Sequence, residues 1–190
     1  MNDHDAPEEV AWEGRFIVAK KRGKWEYVSR TRGISAAVIL AIDDGDVILV
    51  EQYRVPLGRS CLELPAGLVG DHDEGESVEV SAARELEEET GLTQVEVGPP
   101  LWTRLHIIPF IGGKWDGQRE QYYLVRTPSF EPRPRLSWEQ LNAEYVFGLR
   151  WWTPDELDET DELFAPRRLP ELVRSLLQDG PPAEPVDVGV

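Results

Sequence analysis

Two nearly continuous apolar runs rich in β-branched residues, 33–42 and 46–53, flank Asp43-Asp44-Gly45. That arrangement predicts a tight hairpin of largely buried strands. Upstream, residues 15–19 and 25–30 predict a shorter hairpin across a Lys/Arg/Gly turn, and residues 62–64 a strand stopped by Pro65-Ala66-Gly67. The period then changes. Residues 77–90 place Val78, Ala82 and Leu86 four apart, with Ser77 at the start and Gly91 just past the end, which predicts a capped amphipathic helix. Further strands are predicted over 95–97, 101–108, 121–125 and 146–151, and a loop over the proline-rich 127–134. Thr153-Pro154-Asp155 opens a second helix, and residues 169–178 form a third that Gly180-Pro181-Pro182 ends. Many strands with few helices predict an α/β fold, a mixed β-sheet sandwiched between helices (α/β/α) and preceded by an N-terminal β extension. The boundaries read as residues 1–32 for the extension, 33–178 for the main domain and 179–190 for a flexible tail.

Composition narrows the function. The 190 residues are 41% hydrophobic and include seven Trp, enough apolar surface for a buried core. No apolar run approaches the roughly 20 residues of a membrane span, and no secretory leader is recognised, so no membrane partner is expected. The single Cys61 excludes an internal disulfide and fits a reducing, cytoplasmic setting. A formal charge of −16 argues against nucleic acid as a partner. The charge is segregated: residues 14–32 hold seven basic side chains and one acid, Glu26, whereas residues 71–90 hold nine acids and only Arg84 as a base. Such runs ordinarily mark solvated faces; here they also separate a cation-binding segment from an anion-binding one.

On a helix, Glu85, Glu88 and Glu89 fall within an arc of about 100°. Carboxylates at that spacing repel, and at a helix C-terminus the macrodipole disfavours them further. A cation between them removes both penalties. Hard oxygen donors suit Mg²⁺, with Mn²⁺ as the alternative, ions that commonly bridge to phosphates. Zinc is not indicated, because His4, His72 and His106 show no ligand spacing.

The surroundings sharpen this reading. Gly70, Glu76, Arg84-Glu85-Leu86, Glu88-Glu89 and Gly91-Leu92 occupy every fixed position of the pattern G-x5-E-x7-R-E-U-x-E-E-x-G-U, where U is aliphatic. The segment resembles the Nudix box. The resemblance implies a Nudix fold and makes Glu85, Glu88 and Glu89 metal ligands of a diphosphohydrolase, Glu88 counting also as catalytic. Glu76 and Arg84 then support them, Arg84 by holding Glu76 or a neighbouring carboxylate.

The flanks are similar to the ADP-ribose pyrophosphatase branch of that family. Val50-Glu51-Gln52-Tyr53-Arg54 resembles its "V-E-Q-x-R" strand end, and Leu62-Glu63-Leu64-Pro65-Ala66-Gly67 its "E-L-P-A-G" entry to the box. By that likeness the Ala66 carbonyl joins the metal shell. Arg54 is either a phosphate ligand at the sheet rim or a surface arginine. Glu26 is placed against the adenosine end of a ligand; Trp25 either stacks on adenine or serves a core or dimer contact. Branch members pair N-terminal strands across a homodimer, and residues 11–32 fit such an extension. The later half departs from the branch: Pro109 lies 17 residues beyond Leu92, and 150–157 resembles a segment of less specialised Nudix proteins.

The expectation is therefore Mg²⁺-dependent hydrolysis of ADP-ribose, or of a related nucleoside diphosphate sugar, to AMP and ribose 5-phosphate. Other nucleotides as substrates, or a non-catalytic ADP-ribose-binding module, are the alternatives. The general base is sought outside the box, with Glu144 the first choice, Glu139 the second, and Asp116 and Glu120 after them.

Overall fold

The computed structural model describes residues 6–14, 17–30, 34–69, 77–109, 115–143 and 145–189. Two sheets form. The first is antiparallel, in the order β1 (Glu8–Glu13), β2 (Ile17–Arg22), β3 (Trp25–Arg30). Strand β1 lies in the acidic start of the chain and was not expected. Its pairing follows from charge: Glu8 accepts from Lys20 Nζ at 2.9 Å, Arg22 Nη2 at 3.0 Å and the Tyr27 hydroxyl at 2.5 Å, so acidic β1 covers basic β2.

The second sheet carries β4 (Ile34–Asp43), β5 (Asp46–Arg54), β6 (Arg59–Glu63), β7 (Ala66–Leu68), β8 (Pro100–Pro109), β9 (Trp115–Arg126), β10 (Val146–Trp152), β11 (Leu163–Ala165) and β12 (Val186–Asp187). Its main path runs β11-β6-β5-β4-β9-β8-β12, with β10 on β5 and β7 on β4. It is mixed: β4 runs parallel to β9, while β8 and β9 are antiparallel. The β4–β5 hairpin turns at Asp44 and Gly45 with φ of 46° and 102°, as Asp-Gly predicts. The two strands pair only at Ile42–Val47 and Asp43–Asp46. Beyond that point β4 takes β7 as its neighbour, while β5 takes β6 and β10.

Alternation along β4 fills two cores. Val38, Leu40 and Ile42 pack with Leu157 of α3 (Pro154–Glu159) and with Leu169, Val173 and Leu176 of α4 (Leu169–Asp179). Ala37, Ile39 and Ala41 pack with Ala82 and Leu86 of α1 (Val78–Thr90). Helices therefore cover both faces, the α/β/α sandwich that the sequence predicts.

Three local expectations need correction, and one element was not foreseen. No strand forms over 95–97; Val95 and Val97 pack on the α1 core from an irregular segment that runs into Pro99-Pro100. Ala66-Gly67 does not stop the strands but begins β7, because the Pro65 carbonyl and the β7 amides find partners along β4. A short helix, α2 (Trp138–Ala143), follows Ser137, whose hydroxyl accepts from the Gln140 amide. The C-terminal segment, expected to fray, adds β12 beside β8 and buries Val188 in the α3–α4 core.

Candidate active site

Helix α1 brings the acidic residues to one end of the sheet. The Ser77 hydroxyl accepts from the Val80 amide at its start, and Gly91 closes its end at φ 79°. Buried Ala82 and Leu86 fix its rotation, so Glu85, Glu88 and Glu89 face a cavity of about 530 Å³. Val50, Gln52 and Arg54 of β5, Glu63 of β6, Leu64 and Ala66 also line it. Arg135, Leu136, Leu141 and Val146 complete the wall.

The carboxylates are close but held apart. Arg84 donates to Glu85 at 2.6 Å and pairs with Glu88 at 3.5 Å, so among the described residues it supports two box carboxylates. Glu89 accepts from the Ala66 amide at 3.2 Å. Among the described residues no three acidic side chains converge on one point. Burial, then the neighbouring charge of Glu85, pushes the Glu89 carboxyl up to about 8. Gly67 is what lets α1 and β7 approach: a Cβ there would lie 1.8 Å from Glu85 Cδ. A partly buried set of hard oxygen donors lining one cavity fits a divalent cation.

Arg54 ends β5 as foreseen, but its fork is used within the protein. Its Nε donates to Glu63 Oε1 at 2.5 Å and its Nη2 to Glu63 Oε2, which holds the guanidinium still more firmly protonated. Sequence reading missed Arg135. The proline-rich loop carries it along the end of α1, where the Arg133 amide donates to Thr90 O at 2.8 Å and the Arg135 amide to Glu88 O at 3.0 Å. Asp43 anchors the same loop by accepting from the Ser129 amide and hydroxyl, and Trp151 Nε1 donates to Phe130 O at 2.9 Å. The sequence signal available was a basic residue beside prolines, which is not specific.

The remaining candidates lie apart. Trp25 and Glu26 belong to β3 in the other sheet and do not line the cavity. Glu139 is exposed on the first turn of α2, two positions before the lining residue Leu141. Glu120 accepts from the Tyr122 hydroxyl at 2.7 Å and pairs with Arg104 at 3.4 Å on β8. Glu76 and Glu144 fall outside the described residues. Tyr145, the neighbour of Glu144, has φ 64°; its carbonyl accepts from the Tyr53 amide at 2.8 Å.

The family profile described as "NUDIX domain" matches residues 31–173. The chain is 44% identical over 73 residues to the ADP-ribose pyrophosphatase of Bacillus subtilis, covering 38% of this chain and 37% of that protein. It is 42% identical over 102 residues to the ADP-sugar pyrophosphatase of Mus musculus, covering 44% and 45%. In each case the match spans less than half the relative's length. A crystal structure of an ADP compounds hydrolase superposes with a TM-score of 0.60 at 20% identity, over 91% of this chain and 92% of that one, a likeness of fold.

Proposed function

The chain belongs to the Nudix family, and on that premise we propose that it hydrolyses the diphosphate linkage of ADP-ribose or a related nucleoside diphosphate sugar in the presence of Mg²⁺. From ADP-ribose the products are AMP and ribose 5-phosphate. One observation carries the reading: the last two turns of α1 present three carboxylates to a cavity that, among the described residues, also holds two arginines. Its volume is within the roughly 300–1,000 Å³ range of small-molecule sites. The names of the partial relatives support the substrate class.

Glu85, Glu88 and Glu89, with the Ala66 backbone, hold the metal in this proposal. When bound, Mg²⁺ withdraws charge from the diphosphate and makes a water more acidic. Arg84 keeps the carboxylates oriented, and Gly67 leaves Glu85 its place. Glu144, or Glu139 in its stead, takes the proton from the attacking water. Trp25 and Glu26 meet the adenosine end from the partner protomer of a homodimer. Support for the dimer is the apolar surface left on the first sheet, where Val10, Trp12, Ile17, Trp25 and Val28 remain exposed.

The proposed setting is the cytoplasm. Buried Cys61 is the single cysteine, and among the described residues no helix is long and apolar enough to cross a membrane. Incubating the protein with Mg²⁺ and a panel of nucleotide sugars, dinucleotides and nucleoside triphosphates tests the substrate class by product identification. Preference for triphosphates would overturn it. Incubation in ¹⁸O water would then show which phosphorus is attacked.

A further inference from the structure

Two guanidinium groups line the cavity, and the structure gives them different freedom. Arg54 spends Nε and Nη2 on both oxygens of Glu63, a bidentate pair. Turning those two donors to a substrate phosphate would unpair the Glu63 carboxylate in the cavity wall. Arg135 is differently placed. Its Nη1 lies 3.9 Å from Glu87 Oε1 and 3.8 Å from Glu88 Oε1, contacts of charge without hydrogen bonds. The side chain is 62% exposed. Its main chain is fixed, since the Arg135 amide is bonded to the Glu88 carbonyl in the same turn that carries the box carboxylates. The result is an exposed cation, held at its main chain, beside the proposed metal site.

Resting on the function proposed above, we propose that Arg135 is the cavity's diphosphate-binding guanidinium. It balances Glu88 in the free protein and moves to a non-bridging phosphate oxygen when substrate enters. Its planar fork suits two phosphate oxygens, whereas a lysine ammonium would supply charge alone. The sequence reading left Arg54 as a phosphate ligand or a surface arginine; its pair with Glu63 also ties the ends of β5 and β6 together.

The test uses the full chain and the non-hydrolysable α,β-methylene analogue of ADP, titrated calorimetrically with Mg²⁺ present. Arg135→Gln should weaken binding by about tenfold to a hundredfold, the range of a lost charge-assisted hydrogen bond. Arg135→Lys should fall between the variant and the wild type. Affinity for Mg²⁺ alone should hold or rise, because Glu88 loses a competing cation, and the melting temperature should hold, because the main-chain amide is retained. Unchanged analogue affinity in Arg135→Gln would overturn the assignment while leaving the function standing. So would a parallel loss of Mg²⁺ affinity and melting temperature, the mark of a purely structural role. Failure of the wild type to bind the analogue at all would remove the proposed function, and the role of Arg135 with it.

Discussion

Glu89 is the residue on which the site's electrostatics turn. Its carboxyl is pushed up to about 8 from an ordinary 4.5, first by burial and then by Glu85. Between those values the folded protein keeps a proton that the unfolded chain has released. Folding stability of the metal-free protein therefore declines as pH rises through that window and levels off above about 8. Thermal melts in chelator from about pH 5 to about pH 9 should show this decline in the wild type, and Glu89→Gln should flatten it. Saturating Mg²⁺ should counter it, because binding to the folded state adds stability and requires the proton to leave. Parallel curves for wild type and variant would show that Glu89 ionises as an ordinary surface acid.

Among elements, β7 and α1 meet where Gly67 lies against the Glu85 side chain. A methyl group on Gly67 would overlap the Glu85 carboxylate, and the side chain can yield more readily than the backbone. Gly67→Ala should therefore lower Mg²⁺ affinity by about tenfold or more, since coordinating side chains need their geometry, while moving the melting temperature little. Calorimetric Mg²⁺ titration beside a thermal melt separates these effects; equal loss of both would make Gly67 a folding residue only. The helix was legible in the sequence because its signals are local: Ser77 and Gly91 cap it, and Val78, Ala82 and Leu86 mark its buried stripe. The Asp43-Asp44-Gly45 turn was legible for the same reason. What escaped depends on distant partners. Strand β1 needs the bases of β2 to balance Glu8, and β12 needs the open edge of β8. At 95–97 the β-branched spacing matched a strand, but no neighbour offers a ladder there. Arg135 was hidden likewise, because its place depends on a loop docking to α1 across more than forty residues of chain.

For the whole molecule, two sheets divide the work. The larger buries both faces under helices, whereas the smaller leaves Val10, Trp12, Ile17, Trp25 and Val28 exposed. The register puts Trp12, Ile17 and Val28 on one face of that sheet and Val10 and Trp25 on the other; a second copy of this sheet is the proposed occupant of the first. Light scattering should give twice the monomer mass for the full chain and the monomer mass after deletion of residues 1–32. The truncated chain should also bind ADP-ribose more weakly if Trp25 and Glu26 of the partner serve its site. A monomeric full-length protein with full activity would contradict this arrangement.

In the proposed function the α1 carboxylates hold the metal that drives diphosphate hydrolysis. The most direct measurement is the rate of AMP release from ADP-ribose as Mg²⁺ is titrated, for the wild type and for Glu89→Gln, each first confirmed as folded by its melt. Wild-type turnover should be absent in chelator and saturate with Mg²⁺. For Glu89→Gln, turnover should be reduced by about a hundredfold or more even at high Mg²⁺, in keeping with the several kcal/mol that metal-assisted charge stabilisation contributes. Full Glu89→Gln turnover with an unshifted Mg²⁺ dependence, or wild-type release that persists in chelator, would contradict the proposed metal role of these carboxylates.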